Sequence, residues 1–599
     1  MPKDQVGPVE TDVLIVGTGP AGASLACFLA FYGIKGIIVS SERTSADTPR
    51  AHITNMATFE CFRDIGLEDS LTKIATPMEN LKHVRWSYSL AGREFGRVHA
   101  FGDNPERMGE YKAVSPCQHY DLPQTLLDPA LVRHASLNGF QVRWDTEFLS
   151  LEQKDSSVHV TLSDKLTGQQ YVVAAKYLFG ADGGRSRIVE QLGLPLEQKP
   201  SGGRALNVFV RADLSHLIDH READLNWVLQ PDVEHPDFAA ASCVRVVKPW
   251  TEWVFSFLPT PGTDFAKRSN NDDYAEQVRK VIGDETPFEI LDVSTWRINN
   301  VCADRYSDGR VFCLGDAVHR HPPVNGLGTN TSVQDAYNLA WKVAYVLKSK
   351  ASSRLLDSYS LERQPVGDGV VKRANEGLGV HGQIWSALGM MHPTVAERVA
   401  AHEELSASTP EGEKRRAALQ AAFKNTEHEL SGVGIEMNHD YTGSPAISRD
   451  ESAPDSATAV MSSNPDPVLH HTRSTVPGWR LPHVWLNTRN PRTPLSTIDL
   501  AGKGHFTILS GIGGEAWKAA AAAVDDQLGV RIRSFSIGWD QDYEDIYSDW
   551  AKIRGVAESG VVLVRPDRFV GWRHNSAEGD AKWAQEKLLA AMKKILALD

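Results

Sequence analysis

The stretch TDVLIVGTGPAGASLACFLAFYG, near the start of the chain, constrains the fold more than any other. Val13 to Val16 is a short apolar strand, and Gly17, Gly19 and Gly22 follow it as G-x-G-x-x-G. Ala23 to Ala30 continues as a helix that Gly33 closes. Gly17 permits the tight turn, Gly19 lets a pyrophosphate approach the backbone, and Gly22 lets helix and strand pack closely. A strand that feeds such a turn into a helix predicts a Rossmann-like nucleotide-binding α/β domain. After the next strand, Gly36 to Val39, the slot for a ribose-gripping carboxylate falls on Ser40. Either Glu42, two residues on, reaches in, or the serine does weaker work.

Two later signals share this grammar. YLFGADGGRSRIVEQLGL runs strand, Ala-Asp-Gly-Gly turn, helix around Asp182, and GRVFCLGDAVH ends a strand on Gly-Asp at Asp316. A carboxylate at a strand end can accept hydrogen bonds from a sugar alcohol chain. Three separated pieces converging on one long ligand suit FAD, with its ribityl chain and ring, better than NAD.

At 599 residues the chain exceeds a single core, so several domains are expected. A formal net charge of -13 argues against nucleic acid or an anionic membrane as partner. No run of 18 apolar residues predicts a transmembrane helix, and the first residues lack a secretory core, so a cytoplasmic protein is expected. The six cysteines form no CxxC pattern and read as buried thiols rather than metal ligands.

Taken with TPRAHITN, LPQTLLDPALVRHA, STW, GRVFCLGDAVHRHPP and GLGTNTSVQDAYNLAWK, the three motifs resemble the single-component FAD-dependent aromatic hydroxylases of the para-hydroxybenzoate hydroxylase fold, in their phenol and dichlorophenol hydroxylase branch. The resemblance implies FAD held by Gly17, Gly19 and Gly22, Arg50 near the cofactor, Gln124 at the ribityl region, and Asp316 on the ribityl hydroxyls. Asp182 belongs to a motif that this family shares between FAD and NADPH. Glu190 stands where the family has an arginine. The implied reaction is reduction of the flavin by NADPH or NADH, addition of O2 to give a C4a-hydroperoxyflavin, and hydroxylation of a phenolic ring. Decarboxylative hydroxylation of a hydroxybenzoate, or a dehydrogenase or oxidase on the same fold, are the alternatives.

Within this frame, the backbone N–H groups of Leu327, Gly328, Thr329 and Asn330 open a helix and face the anionic end of reduced flavin. Gly326 and Gly328 leave the ring uncovered, and the resemblance places Pro323 beside its oxygen-reactive edge. Phenols react best as phenolates, so a proton acceptor is expected near the hydroxyl. His52 stands where the branch carries an aspartate. It either accepts that proton or only packs against the following helix. His319 and His321 flank the flavin turn and read as polar contacts.

Residues 201–300 alternate as short antiparallel strands and are expected to form the substrate domain. Trp227, Trp253, Phe255 and Trp296 are either pocket walls or core. Arg297 either meets a phenolate or carboxylate or lies on the surface. Residues 1–200 and 301–435 make up the FAD-binding domain and its helices, and 436–475 a connecting segment. Residues 476–599 alternate strand and helix, resembling a thioredoxin-like domain. Without cysteine there, its role is structural or dimer-supporting, and a homodimer is expected.

Overall fold

The computed structural model describes residues 7–199, 203–260, 271–449 and 462–599. Strand Val9–Val16 pairs in parallel with Gly36–Val39 on one side and Gln170–Gly180 on the other. Phe140–Arg143 and Val311–Cys313 extend the sheet outward, both in parallel. The register sets Val16 beside Gly180, and Gly180 beside Cys313. Three glycine-bearing turns that are far apart in sequence therefore leave the same edge of the sheet side by side. Ligands bind at this carboxyl edge of open parallel sheets. The apolar runs are buried on both faces, as a parallel sheet covered by helices requires.

Helix Pro20–Phe31 is buried over nearly its whole length, between this sheet and the helix Leu327–Leu347. Gly17 has φ +110°, and a Cβ on it would collide with the Ala181 carbonyl. A Cβ on Gly22 would meet the Gly17 carbonyl. Both glycines are therefore required by close backbone approach.

The second sheet has seven strands in the order Glu289–Arg297, Arg204–Arg211, Glu252–Pro259, Phe238–Lys248, Ala223–Leu229, His83–Ser87, Glu94–His99. The expected boundary at residue 201 is too late, because two strands come from within the first 200 residues. His83–Ser87 joins Ala223–Leu229 in parallel. The long excursion between helices Met56–Asp64 and Gln124–Leu137 supplies them. Helix Asn271–Ile282, absent from the strand-only reading, covers one face: Tyr274 meets Phe238 (6.4 Å), which meets Phe257 (5.5 Å).

Helix Asp357–Ala387 follows, then Val395–Glu403 and Pro410–Asn425. Part of the expected connecting segment, residues 450–461, lies outside the described residues. The C-terminal sheet runs Ile532–Ser536, Phe506–Ser510, Val561–Val564, Val570–His574, with helices Glu515–Leu528 and Ala581–Ile595 packed on it. It docks on the first domain through buried ion pairs. Arg565 reaches Glu362 at 2.7 Å and also Asp567, Lys342 reaches Glu362 at 2.7 Å, and Arg568 reaches Asp64 at 2.9 Å. Asp567 in turn accepts from the Trp341 indole on the Leu327–Leu347 helix, at 3.1 Å.

Candidate active site

At the shared sheet edge, Gly19 caps helix Pro20–Phe31 with no side-chain bond to the first N–H groups. A Cβ on Gly19 would meet nothing within 4 Å, so the approach to these donors is open. Asp182 accepts from Ile188 N at 3.3 Å through one oxygen, while the other is buried without a partner. Burial raises its pKa. The exposed Asp316 side chain lies on the turn after Val311–Cys313. Glu42 is exposed, with its N–H on the Ser40 hydroxyl at 3.1 Å. Gln124 donates to Asp128 at 2.9 Å, and its backbone N–H is bound to the Ala51 carbonyl at 2.8 Å. The second Asp128 oxygen is buried and unpartnered, and burial lifts this carboxyl to about 7, with the Arg50 charge opposing. Asp128 was missed in the sequence, where it sits inside an ordinary helix. Unfilled N–H groups at a helix start, with partnerless carboxylate oxygens beside them, fit a ligand carrying a pyrophosphate and a chain of hydroxyls.

The ring seat is the turn Val324–Gly326 and the start of helix Leu327–Leu347, capped by Gly326 at φ +63° with no side-chain bond. Pro323 is exposed at its entrance. At Gly328 only His321 would come within 4 Å of a Cβ. At Gly326 the missing side chain makes room for Ile53 at 3.1 Å. The Asn330 side chain clamps the seat to the neighbouring segment: Nδ2 donates to Ile53 O (2.9 Å) and Gly326 O (2.6 Å), and Oδ1 accepts from Asn55 N (2.9 Å). Asp335 ties the two flavin motifs together. It accepts from Gly315 N at 3.1 Å, from His319 Nε2 at 2.9 Å and from Arg363 at 2.7 Å. His319 is thus a buried strut, and His321 donates from Nδ1 to Pro322 O at 2.6 Å.

Strand parity sorts the aromatic candidates. One cross-strand row runs Asn207, Ser256, Cys243, Trp227, Trp86. Its members from Asn207 to Trp227 are half-buried, and the Trp227 ring lies 4.6 Å from His381 on helix Asp357–Ala387. Trp296 belongs to this face, donating to Asn207 Oδ1 at 3.0 Å, as Ser256 does at 2.8 Å. Trp253 and Phe255 pair with Val246 and Val244 and point to the opposite face, both fully buried. They are core under the Asn271–Ile282 helix, so their expected role as pocket walls is corrected. Arg297 pairs with Arg204 at the sheet edge and is exposed on that same far face, so it does not reach the site.

On the open face, His52 meets a cluster the sequence did not reveal. Its Nδ1 lies 2.8 Å from Asp121 and 3.5 Å from Asp224. Its side chain is 11% exposed, against 2% for Asp121 and 0% for Asp224. Nε2 has no partner among the described residues and is not sealed in. Arg245, from the adjoining strand, is buried and donates to Pro49 O at 2.6 Å. Burial lowers His52 to about 4 and raises Asp121 to about 7. A neutral imidazole with Nδ1–H on a carboxylate presents a lone pair at Nε2, which is what a proton acceptor needs. The three partners come from strands 69 to 193 positions away, with no shared motif to announce them.

Residues 10–374 match the family described as FAD binding domain, and residues 474–597 that described as aromatic-ring hydroxylase, C-terminal. The chain is 42% identical to 2,4-dichlorophenol 6-monooxygenase of Delftia acidovorans, covering 98% of this chain and 99% of that protein. It is 40% identical to phenol 2-monooxygenase of Pseudomonas sp. (strain EST1001), covering 97% and 92%. Among solved structures it resembles the flavin-dependent monooxygenase PieE, in complex with FAD and substrate, with TM-score 0.92, 38% identity and coverage of 99% and 100%. Aklavinone-11 hydroxylase with FAD and aklavinone follows at TM-score 0.78, 28% identity and coverage of 99% and 100%.

Proposed function

Because this chain belongs to the FAD-binding aromatic-ring hydroxylases, we propose that the pocket between His52 and the open sheet face seats a phenol for ring hydroxylation. The protein is an FAD-dependent monooxygenase that uses NAD(P)H as co-substrate. FAD, when bound, supplies the oxygen chemistry, passing electrons from NAD(P)H to O2 and one oxygen atom to the ring. In our reading Gly17, Gly19, Gly22 and Asp182 hold its pyrophosphate end, and Asp316, Gln124, Arg50 and Glu42 its sugars. The N–H groups from Leu327 to Asn330 hold the ring, with Pro323 at its edge.

The observation that carries the phenol reading is His52 Nε2, open on one side while Asp121 holds Nδ1 on the other at 2.8 Å. His52 takes the phenol proton and so raises electron density in the ring where oxygen is added. Trp227 and Cys243 bound the ring from the sheet, and Asn330 keeps the His52–Asn55 segment fixed against the ring seat. The exposed position of Arg297 on the far face favours the phenol reading over a decarboxylating one.

The experiment is to load the protein with FAD and follow NAD(P)H oxidation and product with a panel of phenols. Phenol-stimulated oxidation yielding a catechol-type product is expected. Oxidation indifferent to every phenol, without hydroxylated product, would overturn the reading. We also assign residues 476–599 to a thioredoxin-like unit without thiol chemistry, and the whole to a cytoplasmic homodimer. Among the described residues, no helix is long and apolar enough to cross a membrane.

A further inference from the structure

The buried group around His52 supports a step that rests on the phenol reading above. We propose that Asp224 is a proton-holding residue that positions charge for His52, so that the site can ionise a bound phenol without changing its buried net charge. The ligand-capable atoms of His52, Asp121 and Asp224 all lie within 4.8 Å of one another. Neither Asp224 oxygen accepts from a donor group among the described residues, nor does Asp121 Oδ1, and the two carboxyls lie within hydrogen-bonding reach of each other. A buried carboxylate without donors is costly as an anion. Two carboxylates sharing one site do not both ionise readily.

The charges around Asp224 can be followed strand by strand. Arg245, on the strand beside it, is a permanent cation and offsets one carboxylate. Cys243 on that strand stays a thiol, since burial raises it to about 12. On the other neighbour, Arg85 is turned to Glu94 and Asn226, and His83 to the Glu222 carbonyl. Glu429, beyond Cys243, is engaged by His381 at 2.8 Å. Among the described residues no second positive charge remains for Asp224, so a proton fills that place. Burial raises this carboxyl to about 8, the direction the count requires.

The phenol O–H bond breaks and its proton moves to His52 Nε2, while Nδ1–H stays on Asp121. One phenolate and one imidazolium form together, and Asp224 remains neutral throughout. Once Asp224 ionises, the phenolate faces an added negative charge and its binding weakens.

The test uses the FAD-loaded protein and a phenol of pKa about 10, similar to tyrosine. Ultraviolet difference spectra read the bound phenolate between pH 6 and 10. In the wild type, phenolate affinity is expected to fall at least fivefold between pH 7.5 and 9.5. Asp224→Asn should flatten that fall while retaining phenolate at neutral pH. Asp121→Asn, which disturbs the hydrogen bond orienting His52, should reduce phenolate at every pH. An unaltered decline in Asp224→Asn, or loss of phenolate at neutral pH in that variant, overturns the proposal. A second measurement needs no variant: an indicator dye in weak buffer reports protons released when the wild type binds phenol at pH 7. No net release is expected, and one proton released per phenol overturns the inference. Hydroxylated product formed alongside that release leaves the phenol reading standing and removes only Asp224, whereas no product with any phenol removes the reading itself.

Discussion

The two faces of the seven-stranded sheet use the same strands at the same period of two, yet they differ in almost every respect. On the outer face Val208, Val210, Val244, Val246, Trp253, Phe255 and Phe257 are at most 2% exposed, sealed by the helix Asn271–Ile282. On the inner face Asn207, Ser256, Cys243 and Trp227 remain half-open, Arg245 donates to the Pro49 carbonyl, and Asp224 meets His52. The outer face supplies the burial that holds the sheet together. The inner face can therefore carry polar groups, and partly open ones, that would weaken a sheet obliged to use both sides for its core. Alternate residues of the regular strands thus belong to stability or to chemistry according to parity, and the irregularity between Ala223 and Leu225 is where Asp224 departs from it.

Substitutions on each face should separate these roles. The largest effect is expected from His52→Ala, which should lower kcat by roughly 10²–10⁴-fold while costing less stability than the core substitution Phe255→Ala, about 1–3 kcal/mol for the Asp121 acceptor it leaves unpaired. A similar loss of both would erase the distinction. Phe255→Ala should do the reverse, costing about 3–5 kcal/mol of stability in urea titrations with KM for phenols preserved. Trp227→Leu should raise KM by roughly 10–200-fold, read by steady-state kinetics across a phenol panel, with a smaller change in stability than Phe255→Ala. The smallest effect belongs to Arg297→Ala: stability within about 0.5 kcal/mol and unchanged kinetics, because the side chain is exposed on the far face.

The pH dependence of stability should sharpen the contrast further. His52 is lowered to about 4, so its share of stability is present above its unfolded value and lost as pH falls from about 6.5 towards 4. Asp224 is raised to about 8, so its share is present below about pH 4 and lost as pH rises through 8. Asp224→Asn should therefore gain stability over the wild type at pH 8.5 more than at pH 4.5. Equal differences at both pH values would contradict the assignment. No outer-face apolar substitution should show such a slope.

The glycine turns could be read from sequence because each is enforced locally. Gly17 needs a positive φ and Gly22 a missing Cβ, and both follow directly from a strand feeding a helix. The chain order of the three flavin motifs likewise survives as the row Val16, Gly180, Cys313. What could not be read was facing. Trp227, Trp253, Phe255 and Trp296 are all aromatics on short strands, and composition does not say which parity looks inward; the registers decide it. The packing role of Gly326 was hidden for a related reason: it clears space for Ile53, a contact between segments 273 positions apart. Asp121, Asp224 and Arg245 stand on three separate strands, and only tertiary pairing turns them into one cluster around His52. The strand Glu94–His99 was hidden because none of its residues is fully buried, and His83–Ser87 because its buried residues include Arg85 and Ser87.

The ion pairs between Glu362 and Arg565 also bear on how the molecule is made. Glu362 is buried with Lys342, about four turns along the helix from the ring seat, and Arg565, 203 positions later, supplies the balancing charge. At a synthesis rate of ~5–20 residues per second, that arginine emerges roughly 10–40 s after its partner. The helix that begins at the ring seat is therefore translated long before the charges that settle its far side exist. The finished chain is then expected to load the cofactor more stably than the nascent one. A ribosome stalled before residue 560 should display the first domain without holding the flavin.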